Sequence, residues 1–164
     1  MEKYVFELQP GECVSVNFMS RNKDNTQVKN FKQRNKSFIF DGSLDVLRNR
    51  FNDFVEKGQP GELSRMYVSL NPRNKELVKK RLLIELIKDD NINICKLEPK
   101  LVSLSMSSEC KVTKYWLWDF DGNREQLSEF IKDVKDILPT VYLEVYKTVN
   151  GFAVVTSGFD SKVT

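Results

Sequence analysis

The sequence contains no histidine. That absence removes the Ser-His-Asp triad and the Cys-His pair, histidine-dependent cleavage of RNA and zinc hydrolysis of the HExxH type. Catalysis would have to rest on carboxylates, lysine, tyrosine, cysteine or a metal held by oxygen ligands. Cysteine is scarce as well: Cys13, Cys95 and Cys110 are widely separated and form no CxxC pair. An odd set of this kind indicates neither a disulfide framework nor a zinc site, so three reduced thiols in a cytoplasmic protein are expected. No apolar run is long enough to span a membrane. The opening residues, Met1 to Glu12, lack the basic start and apolar centre of a signal peptide. No charge of one sign dominates either, since 26 Lys and Arg face 23 Asp and Glu and leave a net +3. A protein that coats nucleic acid indiscriminately is therefore not expected, although a local basic face remains open.

What the chain does have is a regular alternation of strand and helix patterns over 164 residues, enough for one domain with a sizeable core. Lys3–Leu8 and Glu12–Met19 read as strands joined by the Gln9-Pro10-Gly11 turn. Residues Arg21 to Lys36 are polar and basic and read as a loop or mobile hairpin tip. Ser37–Phe40 is a short strand, and Leu44, Leu47, Phe51, Phe54 and Val55 recur at helical spacing behind Ser43 as N-cap. Ser64–Asn71 is a strand and Lys75 to about Lys88 a helix. The stretch from Ile92 to Cys110 reads as strand or loop. Lys114–Asp121 is a strand, and Asn123–Leu138 a helix ended by Pro139. Thr140–Lys147 and Gly151–Phe159 are strands joined by a hairpin at Asn150-Gly151. No internal repeat is apparent. The order predicts an α+β fold: an open, mainly antiparallel sheet resembling an RNA-recognition motif (RRM-like), with helices on one face. Residues 1–60 would form a β-rich extension and 61–164 the main sheet.

The chemistry concentrates in Tyr115–Asn123, "YWLWDFDGN". Alternation places Trp116, Trp118 and Phe120 on one face and Leu117, Asp119 and Asp121 on the other. Three large rings belong against the helices, so the two aspartates should lie together on the opposite, uncovered face. Like charges at this spacing call for a divalent cation or basic side chains nearby. The simpler alternative is that Asp121 or Asn123 caps the next helix and Asp119 pairs with a lysine. The calcium loop of EF-hands also begins DxDxN, but Arg124 stands where it needs glycine and Phe130 where it needs its closing acid. The DxDGT strand of haloacid dehalogenase phosphatases is similar, but it opens a long α/β domain, whereas two hairpin-joined strands follow here.

The arrangement resembles the archaeo-eukaryotic primase and primase-polymerase superfamily. In that family an RRM-like sheet presents a metal-binding hhDhD strand, followed by a Gly-rich hairpin whose histidine contacts nucleotide phosphates. "WLWDFD" stands where the first motif would, and "TVNGFAVVTSGFD" where the second would. With "RMYVSLNPR", the chain also resembles small uncharacterised bacteriophage proteins. The resemblance implies that Asp119 and Asp121 are catalytic metal ligands for Mg²⁺ or Mn²⁺, in a protein acting on a nucleotide or single-stranded nucleic acid in the cytoplasm of an infected bacterial host. Two features depart from the family pattern. Ala153 occupies the histidine position, and no third metal aspartate is evident unless Asp160 serves. The two-metal mechanism needs carboxylates to hold both ions, so a non-catalytic module binding single-stranded nucleic acid, a nucleotide or a host protein is the alternative.

On the same predicted face, Arg65, Tyr67, Tyr142 and Tyr146 would stack bases or neutralise phosphates, with Lys147, Asn150 and Gly151 near the hairpin and Arg73 flanking. Glu144 falls among them. The Arg21–Lys36 segment, with Phe31 among its cations, could track a nucleic-acid backbone. An ordinary solvated sheet face and loop would look the same in sequence.

Overall fold

The computed structural model describes residues 8–148 and 151–159. It is an α+β protein of antiparallel sheets with four α-helices among the described residues. One compact unit ends at Val112 and the next begins at Thr113, so the break does not fall at residue 60. The expected strand Lys3–Leu8 lies almost wholly outside the described residues.

The N-terminal unit is built on β1 (Glu12–Ser20), β2 (Arg34–Phe40) and β3 (Arg65–Val68), in the spatial order β2-β1-β3 and antiparallel throughout. A two-residue strand, β4 (Arg73–Asn74), pairs with the start of β1. Gly11 turns the chain into β1 with φ +87°, a conformation that costs glycine little. Along β1, Val14, Val16 and Phe18 face one way and join Phe38, Phe40, Leu47 and Phe54 in the core. Leu47 and Phe54 come from helix α1 (Leu44–Glu56), whose first turn is capped by Ser43. The strand Arg65–Val68 was expected to join the later strands in a single open sheet. It pairs instead with β1, Met66 opposite Phe18, and this register sets Met66 against the phenylalanine core.

Two further readings are corrected. The segment Arg21–Lys36 is a loop only over residues 21–33, which join β1 to β2. Arg34 and Lys36 belong to β2, Asp24 is paired with both Arg21 and Arg65, and the buried Asn25 amide donates to the carbonyls of Arg21 and Leu63. Arg34 lies over the Phe54 ring and binds Glu62. Burial alone would raise the Glu62 carboxyl, but hydrogen bonds from Arg34 and from the Gln59 backbone outweigh it and hold the group below its usual range. The stretch after helix α2 (Lys75–Lys88) is also not a strand. It forms a 3₁₀ turn and then helix α3 (Leu97–Ser105). Leu97, Leu101 and Leu104 fall at helical spacing, and Pro99 sits in the first turn, where its missing N–H has no partner to lose. Ser105 Oγ of α3 lies 2.8 Å from Ser15 Oγ, on the side of β1 away from the phenylalanine core.

The C-terminal unit contains β5 (Trp116–Phe120), helix α4 (Arg124–Ile137), β6 (Leu143–Lys147) and β7 (Phe152–Thr156). Its sheet has the order β5-β7-β6, again antiparallel throughout. α4 buries Leu127 and Val134 and begins with a capping box, in which Asn123 and Gln126 satisfy each other's backbone N–H. The hairpin between β6 and β7 closes with Thr148 N donating to Gly151 O at 3.0 Å.

The two units share a plan that sequence inspection did not reveal. Phe40-Asp41-Gly42-Ser43 ends β2 and caps α1; Phe120-Asp121-Gly122-Asn123 ends β5 and caps α4. The stretches match without a gap through the buried helix residues, Leu47 with Leu127 and Phe54 with Val134. In both, a Cβ added to the glycine would strike the preceding phenylalanine ring, at 2.7 Å for Gly42 and 2.4 Å for Gly122. Each of these edge strands pairs with a central strand, β1 or β7, which pairs in turn with the opposite edge, β3 or β6. The chain order differs, the central strand coming first in the N-terminal unit and last in the C-terminal one, and β4, α2 and α3 have no counterpart among the described residues of the C-terminal unit. The units are circular permutants of one strand–helix–strand–strand module.

Candidate functional site

The C-terminal sheet separates its two faces by alternation, but not with the expected covering: Trp116 is 49% and Trp118 36% exposed, while Val155 on the opposite face is only 5% exposed. Trp118 and Phe120 meet Phe130 of α4, with ring centroids 5.8 and 5.3 Å apart. Trp118 Nε1 donates to Thr156 Oγ1 at 3.2 Å. Asp119 is therefore turned to the other face. Pairing runs Asp119–Ala153–Tyr146 in one row and Leu117–Val155–Glu144 in the next, so these six residues share that face. Ala153 is thus the direct cross-strand neighbour of Asp119.

Asp119 and Asp121 are both exposed, and neither makes a hydrogen bond or ion pair among the described residues. The cap of α4 is Asn123, which accepts from Gln126 N at 2.9 Å; Asp121 has no part in it. Of the rival reading, the Asn123 cap is present, whereas Asp121 takes no part in it and Asp119 makes no lysine contact among the described residues. No group of three or more Cys, Asp or Glu able to hold a metal occurs among the described residues. Asp119 shares this face with a second carboxylate, that of Glu144.

Glu144 is a member of this face that sequence reading listed without a role. Its carboxylate accepts from the hydroxyls of both Tyr142 and Tyr146. The Tyr142 hydrogen bond, then that of Tyr146, holds the Glu144 carboxyl below its usual range, and the same contact with Glu144 raises Tyr142. The strand period was the available signal, since it sets Tyr142, Glu144 and Tyr146 on one side. Both tyrosine hydroxyls are engaged, while the exposed Tyr142 ring remains a surface for stacking.

The other predicted contacts are dispersed. Lys147 pairs with Phe152 opposite Phe120, which puts it on the aromatic face, away from the aspartates. Asn150 lies outside the described residues. Gly151 sits so close to the end of β5 that an added Cβ would be 2.3 Å from the Phe120 carbonyl oxygen, giving it a packing role. Arg65 and Tyr67 belong to β3 in the N-terminal unit, where Arg65 is held by Asp24 at 2.9 Å and Tyr67 is exposed.

Arg73 is the plainest correction. Only 3% exposed, it is no surface phosphate contact. It pairs in β4 with Cys13 and bridges Lys111, and both Cys13 and Cys110 are free and buried. Its Nε and Nη1 are buried without a hydrogen-bond partner, and Nη2 reaches only Met106 Sδ at 3.7 Å. Burial lowers the guanidinium's affinity for its proton and pushes the Cys13 thiol up to about 11, so Cys13 supplies no ready counter-charge. A buried cation in this state costs free energy that an apolar side chain of similar length avoids. Arg73→Met is therefore expected to stabilise the protein by about 1 kcal/mol. Urea unfolding of the two proteins side by side measures it, and a loss of more than about 1 kcal/mol would show that Arg73 has an acceptor in solution.

Comparison of the chain with known protein-family models, curated proteins and solved structures finds no match in any of the three.

Proposed function

We propose that the C-terminal unit is a reduced primase-like palm that binds a nucleotide or single-stranded nucleic acid through a divalent cation held by Asp119 and Asp121. The observation that carries this reading is a pair of exposed carboxylates, unengaged among the described residues: Asp119 in β5, on the face opposite Trp118 and Phe120, and Asp121 just past the strand's end. The cross-strand pairing of Asp119 with Ala153 supports it, because the hhDhD and hairpin motifs of the primase-like arrangement would then lie on adjacent strands.

Mg²⁺ or Mn²⁺ on the two carboxylates would supply positive charge for a substrate phosphate. Asp119 and Asp121 orient the ion at the strand's end, and Tyr142 offers a ring to a base on the same face. Ala153 has no proton and no hydrogen bond to give a phosphate. With two acids on this face and no side-chain donor at that position, binding without nucleotidyl transfer is the reading that best fits the residues.

Calorimetric titration with Mn²⁺ tests it. The wild type is expected to give a saturable single-ion isotherm, and Asp119→Ala to abolish it while the thermal melt is preserved. A wild type that gives no heat with Mn²⁺, alone or with a nucleotide present, would remove the reading.

A further inference from the structure

In the N-terminal unit, a cleft of about 240 Å³ opens between β2 and α1. Its floor is formed by the buried rings of Phe18, Phe38 and Phe54, and its rim carries Lys36, Arg50 and Lys57. Asp53 and Glu98 complete the lining. Several cations of the unit are ion-paired. Arg21, Arg34, Arg65, Lys75 and Arg81 each hold a carboxylate. Lys36, Arg50 and Lys57 form no ion pair among the described residues. Arg50 leans over the Phe38 and Phe40 rings at 5.6 and 5.4 Å, and Lys36 over Phe38 at 5.9 Å.

The permuted twin shows what shape this place accepts. Where the N-terminal module has Lys36, Phe38 and Arg50, the C-terminal module has Trp116, Trp118 and Phe130. There the ring of Phe159 lies parallel to Trp118, at 6.1 Å and 8° between planes, and 5.6 Å from Trp116. The C-terminal module fills the site with a planar ring of its own and lines it with uncharged rings. The N-terminal module leaves it open and sets cations at its mouth. Three cations against two carboxylates leave the mouth net positive and favour an anionic ligand.

We propose that the cleft between β2 and α1 is a binding site for a planar aromatic ring carrying an anionic group, of the size of an aryl phosphate or a nucleoside monophosphate. The ring takes the place that Phe159 takes in the twin, and the anion meets Arg50 and Lys57 at the rim. The volume lies below the roughly 300–1,000 Å³ of sites for drug-sized molecules, which fits a single ring with its anion. The site stands apart from the Asp119–Asp121 face and needs no metal.

Calorimetry or ligand-observed NMR with phenyl phosphate tests the proposal in metal-free buffer, with inorganic phosphate and benzyl alcohol as the two half-ligands. Phenyl phosphate is expected to bind with Kd at or below about 1 mM, and each half-ligand roughly tenfold or more weakly. Arg50→Gln should weaken phenyl phosphate by about tenfold, the loss of one charge-assisted contact. Lys36→Trp, which installs the twin's residue, should abolish binding while the protein stays folded by circular dichroism. Preferential binding of 5′-AMP over a short single-stranded oligonucleotide would mark a free small molecule as the source, and the reverse order a residue of a strand; either supports the site. Phenyl phosphate that binds no more tightly than inorganic phosphate, or equally well to both variants, overturns it.

Discussion

Gly151→Ala is expected to destabilise the C-terminal unit by about 3 kcal/mol, at the upper end of what overpacking costs. The added methyl would sit 2.3 Å from the Phe120 carbonyl oxygen and 3.3 Å from the Asp121 Cα. These are backbone atoms of β5 and its exit turn, so no side-chain rotation relieves the clash. Either the β6–β7 hairpin withdraws or the end of β5 shifts, and both displace the acids. Denaturant unfolding followed by tryptophan fluorescence reads the change directly, because both tryptophans lie in β5. Gly61→Ala serves as the control. Gly61 has φ +79° but open space around a Cβ, so only backbone strain of about 1 kcal/mol applies. If Gly61→Ala proves the costlier of the two, the close approach of the hairpin to β5 is wrong.

Phe18→Ala should cost about 4 kcal/mol. Phe18 is 1% exposed and its ring centroid lies 5.1, 5.2 and 5.6 Å from those of Phe38, Phe51 and Phe54. It joins the central strand, an edge strand and a helix, and no neighbour can close the void without leaving the others. Urea unfolding monitored by far-UV circular dichroism measures the loss. Leu117→Ala, at a position 57% exposed, should stay within about 0.5 kcal/mol. A Phe18 variant as stable as that control would mean that the three-ring contact is not what holds β1 to α1.

Local periodicity carried much of the fold in the sequence. The helices from Leu44, Lys75 and Asn123, their capping residues and the split of aromatic and acidic residues along β5 all follow from spacing of 3.6 or 2. What spacing does not encode is the partner of a strand. Arg65–Val68 is a four-residue strand with the same alternation whichever sheet it joins, and only the match of Met66 to the Phe18 core decides. α3 was lost because serines at 103, 105, 107 and 108 diluted a leucine pattern and Pro99 looked like a breaker. The site was half legible. Asp119 and Tyr146 come to one face by strand period, with Tyr142 tied to them through Glu144, whereas Arg73 reads as an exposed turn arginine and is buried by contacts far along the chain. The repeat was hidden because few identities survive beyond Phe-Asp-Gly and the apolar spacing, and the permutation breaks any alignment of one unit on the other.

That permutation also dictates an order of assembly. In the first module the central strand and its edge neighbour are consecutive, so β1 and β2 form a local hairpin on which α1 folds. In the second, β5 and β6 have no contact with each other in the sheet and both wait for β7. The β6–β7 hairpin closes cheaply across its tight turn, but joining β5 to it means closing a loop that contains the whole of α4, a slower step. Asp119 is therefore expected to meet its cross-strand neighbour Ala153 late in the folding of this unit.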